Sequence, residues 1–293
     1  MTGLPHRDAT ARSLGFVRAC VFAIWLAVVV PDPLAFLGRL PDSMYHPLGV
    51  GRVLPVLSAD ELSAFKWVLV ALLIACLAGM RPYRVLALLA AAALTVHQEL
   101  VRAYTFNNHE ELALLVCTYV LALAPAADGF SWPRRRDVST RPGVYPAVLV
   151  AMAALLLLPY CGIAAHRLAY AAPDVFTGES LPYWLASLSS LDRDGWGAGV
   201  WLLGHPALVS LLKAGFFATT LFELLAPLCL IRPRFRRVWV VVVVGFHVVN
   251  WFTLNLFFWQ NALLVLLLVG DAGAAVARAA EVLARGRRRV VAL

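Results

Sequence analysis

The sequence predicts an all-α, polytopic membrane bundle of about eight transmembrane helices with both termini in the cytoplasm. Three observations predict it. The chain is 61% hydrophobic and only 14% charged, with a mean hydropathy of +0.78, whereas about a quarter of the residues in a soluble domain are charged. Apolar runs recur that can cross a hydrocarbon core of ~30 Å, which takes about 20 helical residues. Basic residues gather in alternate connections, the pattern of short cytoplasmic loops.

Taken in order, the first run is Leu14 to Val30. Basic residues precede it, but Val29 to Asp32 (VVPD) offers no small-x-small cleavage site, so it is expected to stay as an uncleaved helix. The connection from Asp32 to Glu61, PDPLAFLGRLPDSMYHPLGVGRVLP in its main part, has too much Pro and Gly for one long helix. Its Leu, Phe and Val content keeps it along the interface. Leu62 to Met80, Tyr83 to Tyr104, His109 to Ala127 and Val144 to Ala165 are the next four spans. A second outer connection, Arg167 to His205, carries Tyr183, Trp184, Trp196 and Trp201, the aromatic belt expected at headgroup depth. Pro206 to Ile231, Val238 to Thr253 and Phe257 to Ala275 complete the set. Only Leu254 to Leu256 divide the last two, and a seven-helix count is the alternative.

The arginines discriminate between the counts. With eight helices, Arg7 and Arg12, Arg81 and Arg84, the group Arg134 to Arg136 with Arg141, the group Arg232 to Arg237, and the tail arginines Arg278 and Arg285 to Arg289 all fall on one side. A seven-helix chain would put the basic tail outside. The net charge of +8 is then a matter of topology and contact with anionic headgroups, with no call for nucleic acid. The expected setting is the plasma membrane, crossed many times by a single domain over residues 1–293 with a short basic cytoplasmic tail. Cys20, Cys76, Cys117, Cys161 and Cys229 lie one per apolar run and read as small buried side chains.

Polar groups inside the spans carry the functional information, because an ionisable side chain in hydrocarbon must face the bundle interior and find a partner. Arg18 and Glu223 both fall in the cytoplasmic half and are expected to form a structural ion pair. Lys213 can snorkel outward. His97 and Glu99 lie in the outer half of the third span. His247 and Asn250, one turn apart in GFHVVNW, share a helix face; an interhelical hydrogen bond explains them as well as catalysis does. No HExxH, HxxxH or acidic cluster accompanies the histidines, so no metal is expected, and GxSxG, Walker and GxGxxG motifs are lacking. The stretch Tyr104 to Val116, YTFNNHEELALLV, opens the fourth span with Asn107 or Asn108 as a helix cap and Glu110 and Glu111 complementing the dipole.

Four features, in order, carry a family resemblance: Arg18 in FVRACVF, the Asn107, Asn108 and His109 opening of FNNHEEL, Glu223 in LFELLAP, and His247 with Asn250 in FHVVN. GES followed by LPYWL adds a fifth. Over roughly Ala11 to Asp271 the chain resembles the membrane region of vitamin K-dependent gamma-carboxylase and its bacterial relatives, the horizontally transferred transmembrane (HTTM) domain proteins, without the large extracytoplasmic domain of the true carboxylases. The resemblance implies a lyase-type chemistry with reduced vitamin K or menaquinol as cofactor. A lysine deprotonates the quinol, oxygen adds, and the strong base so formed takes a proton from a glutamate that captures carbon dioxide. It places His109 near the carbanion and makes His109, His166 and His247 the candidate catalytic groups. Asn107, Asn108, Arg167 and Asn250 are the candidate cofactor contacts.

The departure is at AAHRLAY, where the family's lysine position offers His166 and Arg167. Arginine cannot serve as that base, and histidine can titrate near neutrality, so authentic glutamate carboxylation is not expected. Two readings follow. One is a quinol-using membrane enzyme that modifies a secreted peptide or small substrate at the outer face. The other is a non-catalytic membrane partner in the maturation, export or immunity of a secreted peptide toxin, similar to the HTTM-type component of sporulation-delaying toxin systems. A transporter has no inverted repeat to support it.

Overall fold

The computed structural model describes residues 5–104, 110–133, 143–189, 198–256 and 258–270, and among them every regular element is helical. The α-helices are α1 (Ala11–Val29), the single turn α2 (Leu34–Leu37), α3 (Ala59–Ala78), α4 (Tyr83–Tyr104), α5 (Leu112–Leu123) and α6 (Val144–His166). There follow the single turn α7 (Asp174–Thr177), α8 (Ser180–Ser189), α9 (Ala198–Leu203), α10 (Pro206–Leu224), α11 (Pro233–Leu254) and α12 (Trp259–Leu264). Six segments are long and apolar enough to cross a membrane: α1, α3, α4, α10, α11 and the continuous Val144–Ala171, in which a π turn lengthens α6. Such segments satisfy their own backbone polar groups, which hydrocarbon demands, and they mark a membrane protein.

Two expected spans differ from their sequence bounds. The fourth is helical only over Leu112–Leu123, because Ala124 precedes Pro125 and takes an extended ψ of 161°; its opening residues Asn107, Asn108 and His109 lie outside the described residues. The eighth begins at Trp259, continues to Val269, and its expected end at Ala275 is also outside them. The last two helices are separate. Asn255 adopts the left-handed conformation at φ 53° and closes α11 by donating its N–H back to its last turn, the usual role of Gly or Asn at a helix C-terminus.

By contacts the described chain divides into two compact units, residues 6–149 and residues 150–270, and α6 begins in the first and continues in the second. In the first unit α1 packs on α3 and α5, and α4 on α3 and α5. Thr10 and Ser13 form a reciprocal cap for α1, and Ser58 and Glu61 one for α3. Arg18 is fully buried in this unit and donates to three carbonyls, Ala126 O at 3.0 Å, Leu77 O at 3.1 Å and Phe130 O at 2.5 Å. Those carbonyls belong to chain turning out of α3 and α5, where helix ends leave acceptors unused. Gly79, at φ 69°, ends α3 beside the Arg18 guanidinium, and a Cβ there would run into it. The Arg18–Glu223 ion pair expected from the sequence is therefore corrected: Arg18 is a carbonyl clamp within its own unit, and Glu223 takes a different arginine.

In the second unit α10 and α11 pack together, and α8 and α9 pack on each other and on α11. Leu181, Leu185, Leu202, Val209 and Leu254 form its small core, with Trp184 against them. Gly199 brings α9 so close to α11 that a Cβ would strike the Thr253 carbonyl and the Ser189 hydroxyl. Of the expected aromatic belt, Tyr183 and Trp201 are exposed, Trp184 turns inward, and Trp196 lies outside the described residues.

Candidate functional site

The second unit contains a cavity of about 550 Å³, within the range of small-molecule sites. Its walls come from α8 (Leu181, Trp184), α10 (Phe216, Thr219), α11 (Phe246, Asn250), and Leu256 and Phe258 beyond the Asn255 turn. The lining is overwhelmingly apolar; its polar side chains among the described residues are Arg167, Thr219, Asn250 and Thr253. Small residues make the room. Gly215 on α10 has no side chain to fill the space next to Phe216, and nothing lies within 4 Å of where its Cβ would be.

Arg167 reaches this cavity because α6 does not stop at Ala165, as the sequence suggested. The helix runs on to His166 and then widens into a π turn over Arg167–Ala171, a distortion frequent at functional sites. The guanidinium donates from Nη1 to Glu223 Oε2 at 2.6 Å and lies over the Phe216 ring, 5.0 Å from its centroid. The Glu223 side chain is 4% exposed and that of Arg167 25%, so the carboxylate is buried and the guanidinium is the partner that meets the open space. Arg167 thus moves from the outer connection, where the sequence placed it, to the flank of α10.

A second polar pair lies alongside. His247 is buried on α11, and its Nε2 shares a hydrogen bond of 2.9 Å with the Tyr160 hydroxyl of α6. Its Nδ1 has no hydrogen-bond partner among the described residues. The imidazole packs edge-on against Phe258, which lines the cavity, and Tyr160 packs edge-on against Trp239. Pro159 sits within α6 just before Tyr160, and the thiol of Cys161 donates to the carbonyl of Leu224 at 3.3 Å. Tyr160 is the polar group that sequence reasoning missed; its signal was a hydroxyl-bearing ring beside a proline inside the run LLLLPYCG.

Of the residues singled out in the sequence, the structure brings Arg167 and Asn250 to one cavity and His247 behind its Phe258 wall. His166 is exposed, with its ring against Tyr170 at 4.9 Å, and is not among the cavity-lining residues. The expected convergence of His166 with Asn250 is corrected on that ground: neighbours on a helix point about 100° apart, so with Arg167 facing the cavity His166 faces away from it. In the first unit, His97 Nε2 is 2.9 Å from Asp32 Oδ2 but off the line of a hydrogen bond, and Glu99 meets Arg102 at 3.5 Å.

No family model, curated protein or solved structure matches this chain. Its reading therefore rests on its own residues.

Proposed function

We propose that this protein is a gamma-carboxylase-like (HTTM-type) integral membrane protein whose cavity holds a lipophilic quinol or quinone, and that it acts at the extracytoplasmic face of the plasma membrane on a secreted peptide or small substrate. Its topology in this reading is eight spans with both termini cytoplasmic. The observation that carries the proposal is the cavity itself: an apolar chamber of about 550 Å³ with the guanidinium of Arg167 and the amide of Asn250 on its lining. Those donors suit the two oxygens of a quinone ring, and the aromatic and aliphatic walls suit the ring and its prenyl chain. In the eight-span topology the cavity lies along the middle of α10, whose lining runs from Leu211 to Thr219, and along the outer half of α11, the side on which a secreted substrate arrives. When bound, the quinol would supply the reducing equivalents; the chain's part is to exclude water with Trp184, Phe216 and Phe258 and to hold an oxygen at Arg167 and Asn250.

The second reading, a non-catalytic membrane partner of a secreted peptide toxin, has one observation in its favour. Among the described residues that line the cavity there is no free base: Arg167 is permanently cationic, and Glu223, beside it, is held by it. Quinol oxidation decides between them. Purified protein in bilayer discs, given menaquinol and oxygen, should oxidise the quinol faster than empty discs, and Asn250→Leu should reduce that rate. Binding of menaquinone without oxidation would favour the non-catalytic partner, and absence of both would remove the quinone proposal.

A further inference from the structure

We infer that the cavity selects uncharged amphiphiles with a hydrogen-bond-accepting head group, an ester or ketone carbonyl, and that Glu223 is the residue that sets this selectivity. The inference rests on the reading of the cavity as a ligand site and goes further by naming the chemistry it accepts and the residue that rejects the alternative.

The donors come first. Thr219 and Thr253 have hydroxyls on the cavity, but each already donates to its own helix, to Gly215 O at 2.9 Å and Val249 O at 2.8 Å. A hydroxyl has one proton, so neither has any left for a ligand. The side-chain protons on the lining that can meet an occupant are of two kinds: the N–H groups of Asn250 and of the Trp184 indole, neither with a hydrogen-bond partner among the described residues, and the guanidinium protons of Arg167 beyond the one Nη1 gives to Glu223. A head group that accepts is matched by both. One that can only donate finds the oxygens of Asn250 and the threonines and leaves Arg167 unsatisfied.

Charge then narrows the class. Arg167 alone would favour a carboxylate or phosphate, which it could grip with two parallel hydrogen bonds. It is not alone, because Glu223 lies at 2.6 Å and is almost completely buried. The site as a whole is neutral. A second anion would be drawn to a guanidinium whose charge the carboxylate behind it already offsets, while losing its own hydration to an apolar chamber. A carbonyl oxygen keeps the hydrogen bond and loses far less hydration. Glu223 therefore acts as the built-in counter-ion, which orients Arg167 and closes the cavity to fatty carboxylates.

The test uses 12-(1-pyrenyl)dodecanoic acid, ionised at alkaline pH, and its methyl ester, added to the full-length protein in phosphatidylcholine discs. Energy transfer from Trp184 reports occupancy, and Trp184→Phe assigns the signal to the cavity. The parent should bind the ester at least about tenfold more tightly than the carboxylate, and Glu223→Gln should reverse the order by a similar factor. Asn250→Leu should weaken the ester about fivefold or more without restoring the acid. A parent that prefers the carboxylate, or a Glu223→Gln protein with an unchanged ratio, overturns the inference. Should Glu223→Gln fail to fold, the neutral double variant Arg167→Gln, Glu223→Gln takes its place: it should still reject the carboxylate, and acceptance would overturn the proposal. Menaquinone competition separates the two proposals. Displacement of the ester supports the quinone reading, and no displacement with the selectivity intact defeats that reading while leaving this one standing.

Discussion

Replacing Glu223 by Gln removes one negative charge from a site whose partner cannot give up its positive one. Glu223 is 4% exposed and 2.6 Å from Arg167 Nη1, and leaving one member of a buried pair uncompensated costs about 3–5 kcal/mol. Arg167 retains 25% exposure and the face of Phe216 at 5.0 Å, so the lower end, about 3 kcal/mol, applies. At roughly 2–4 °C per kcal/mol for a chain of this size, the melting temperature should fall by roughly 6–12 °C. A thiol-reactive dye that becomes fluorescent on reaching buried cysteines measures it, because Cys229 is fully buried in this unit and is uncovered when the unit opens. The double variant Arg167→Gln, Glu223→Gln should recover most of the loss, since a neutral pair needs no counter-ion. A single variant with the parent's melting temperature, or a double variant whose loss is the sum of the singles, would show that the two side chains do not act as a pair.

Three further outcomes follow from the geometry. Tyr160→Phe removes the one hydrogen bond to His247 and leaves both ring nitrogens without partners among the described residues, at about 1–3 kcal/mol, read as a melting temperature below that of the parent in detergent. Gly79→Ala forces an L side chain to φ 69° and into Arg18; with about 1–2 kcal/mol for the left-handed conformation alone, expression of folded protein should drop by more than for Gly143→Ala, whose Cβ would meet nothing within 4 Å. Reporter fusions should place Arg135 and Arg288 in the cytoplasm and Tyr183 outside, and a tail found outside would overturn the eight-span topology.

The bundle was legible in the sequence because hydrocarbon leaves so few options: apolar length sets helix length, and six of the expected spans have long helices in the structure. What was not legible follows from features that pattern and composition do not encode. A π turn adds a residue to a helix without changing its hydropathy, so the run to Ala165 gave no sign that Arg167 would lie on α10. Buried charges are usually paired with an opposite charge, yet the two terminal nitrogens of Arg18 donate to three backbone carbonyls distant in sequence, and its Nε has no partner among the described residues. Such acceptors have no side-chain signature except the Gly79 that makes room. Asn250 was legible from its position one turn beyond His247 on α11. Tyr160 was not, since a lone tyrosine in the run LLLLPYCG reads as part of the apolar segment. The stretch containing Asn107, Asn108 and His109 lies outside the described residues, but α5 opens only at Leu112, with Glu111 at its N-cap position and no side-chain cap, so the cap expected from Asn107 or Asn108 is not at the start of this helix.

The most direct test of a quinone in this cavity is photolabelling of the protein in bilayer discs with a menaquinone analogue that carries a diazirine on its ring, followed by peptide mapping. The account predicts label on α10 and α11 at Phe216, Phe246 and Asn250 and on Trp184 of α8, lost when unlabelled menaquinone is added in excess. Label spread over the exposed lipid-facing residues of α3 and α11, such as Val68 and Val241, and unaffected by competitor would contradict it.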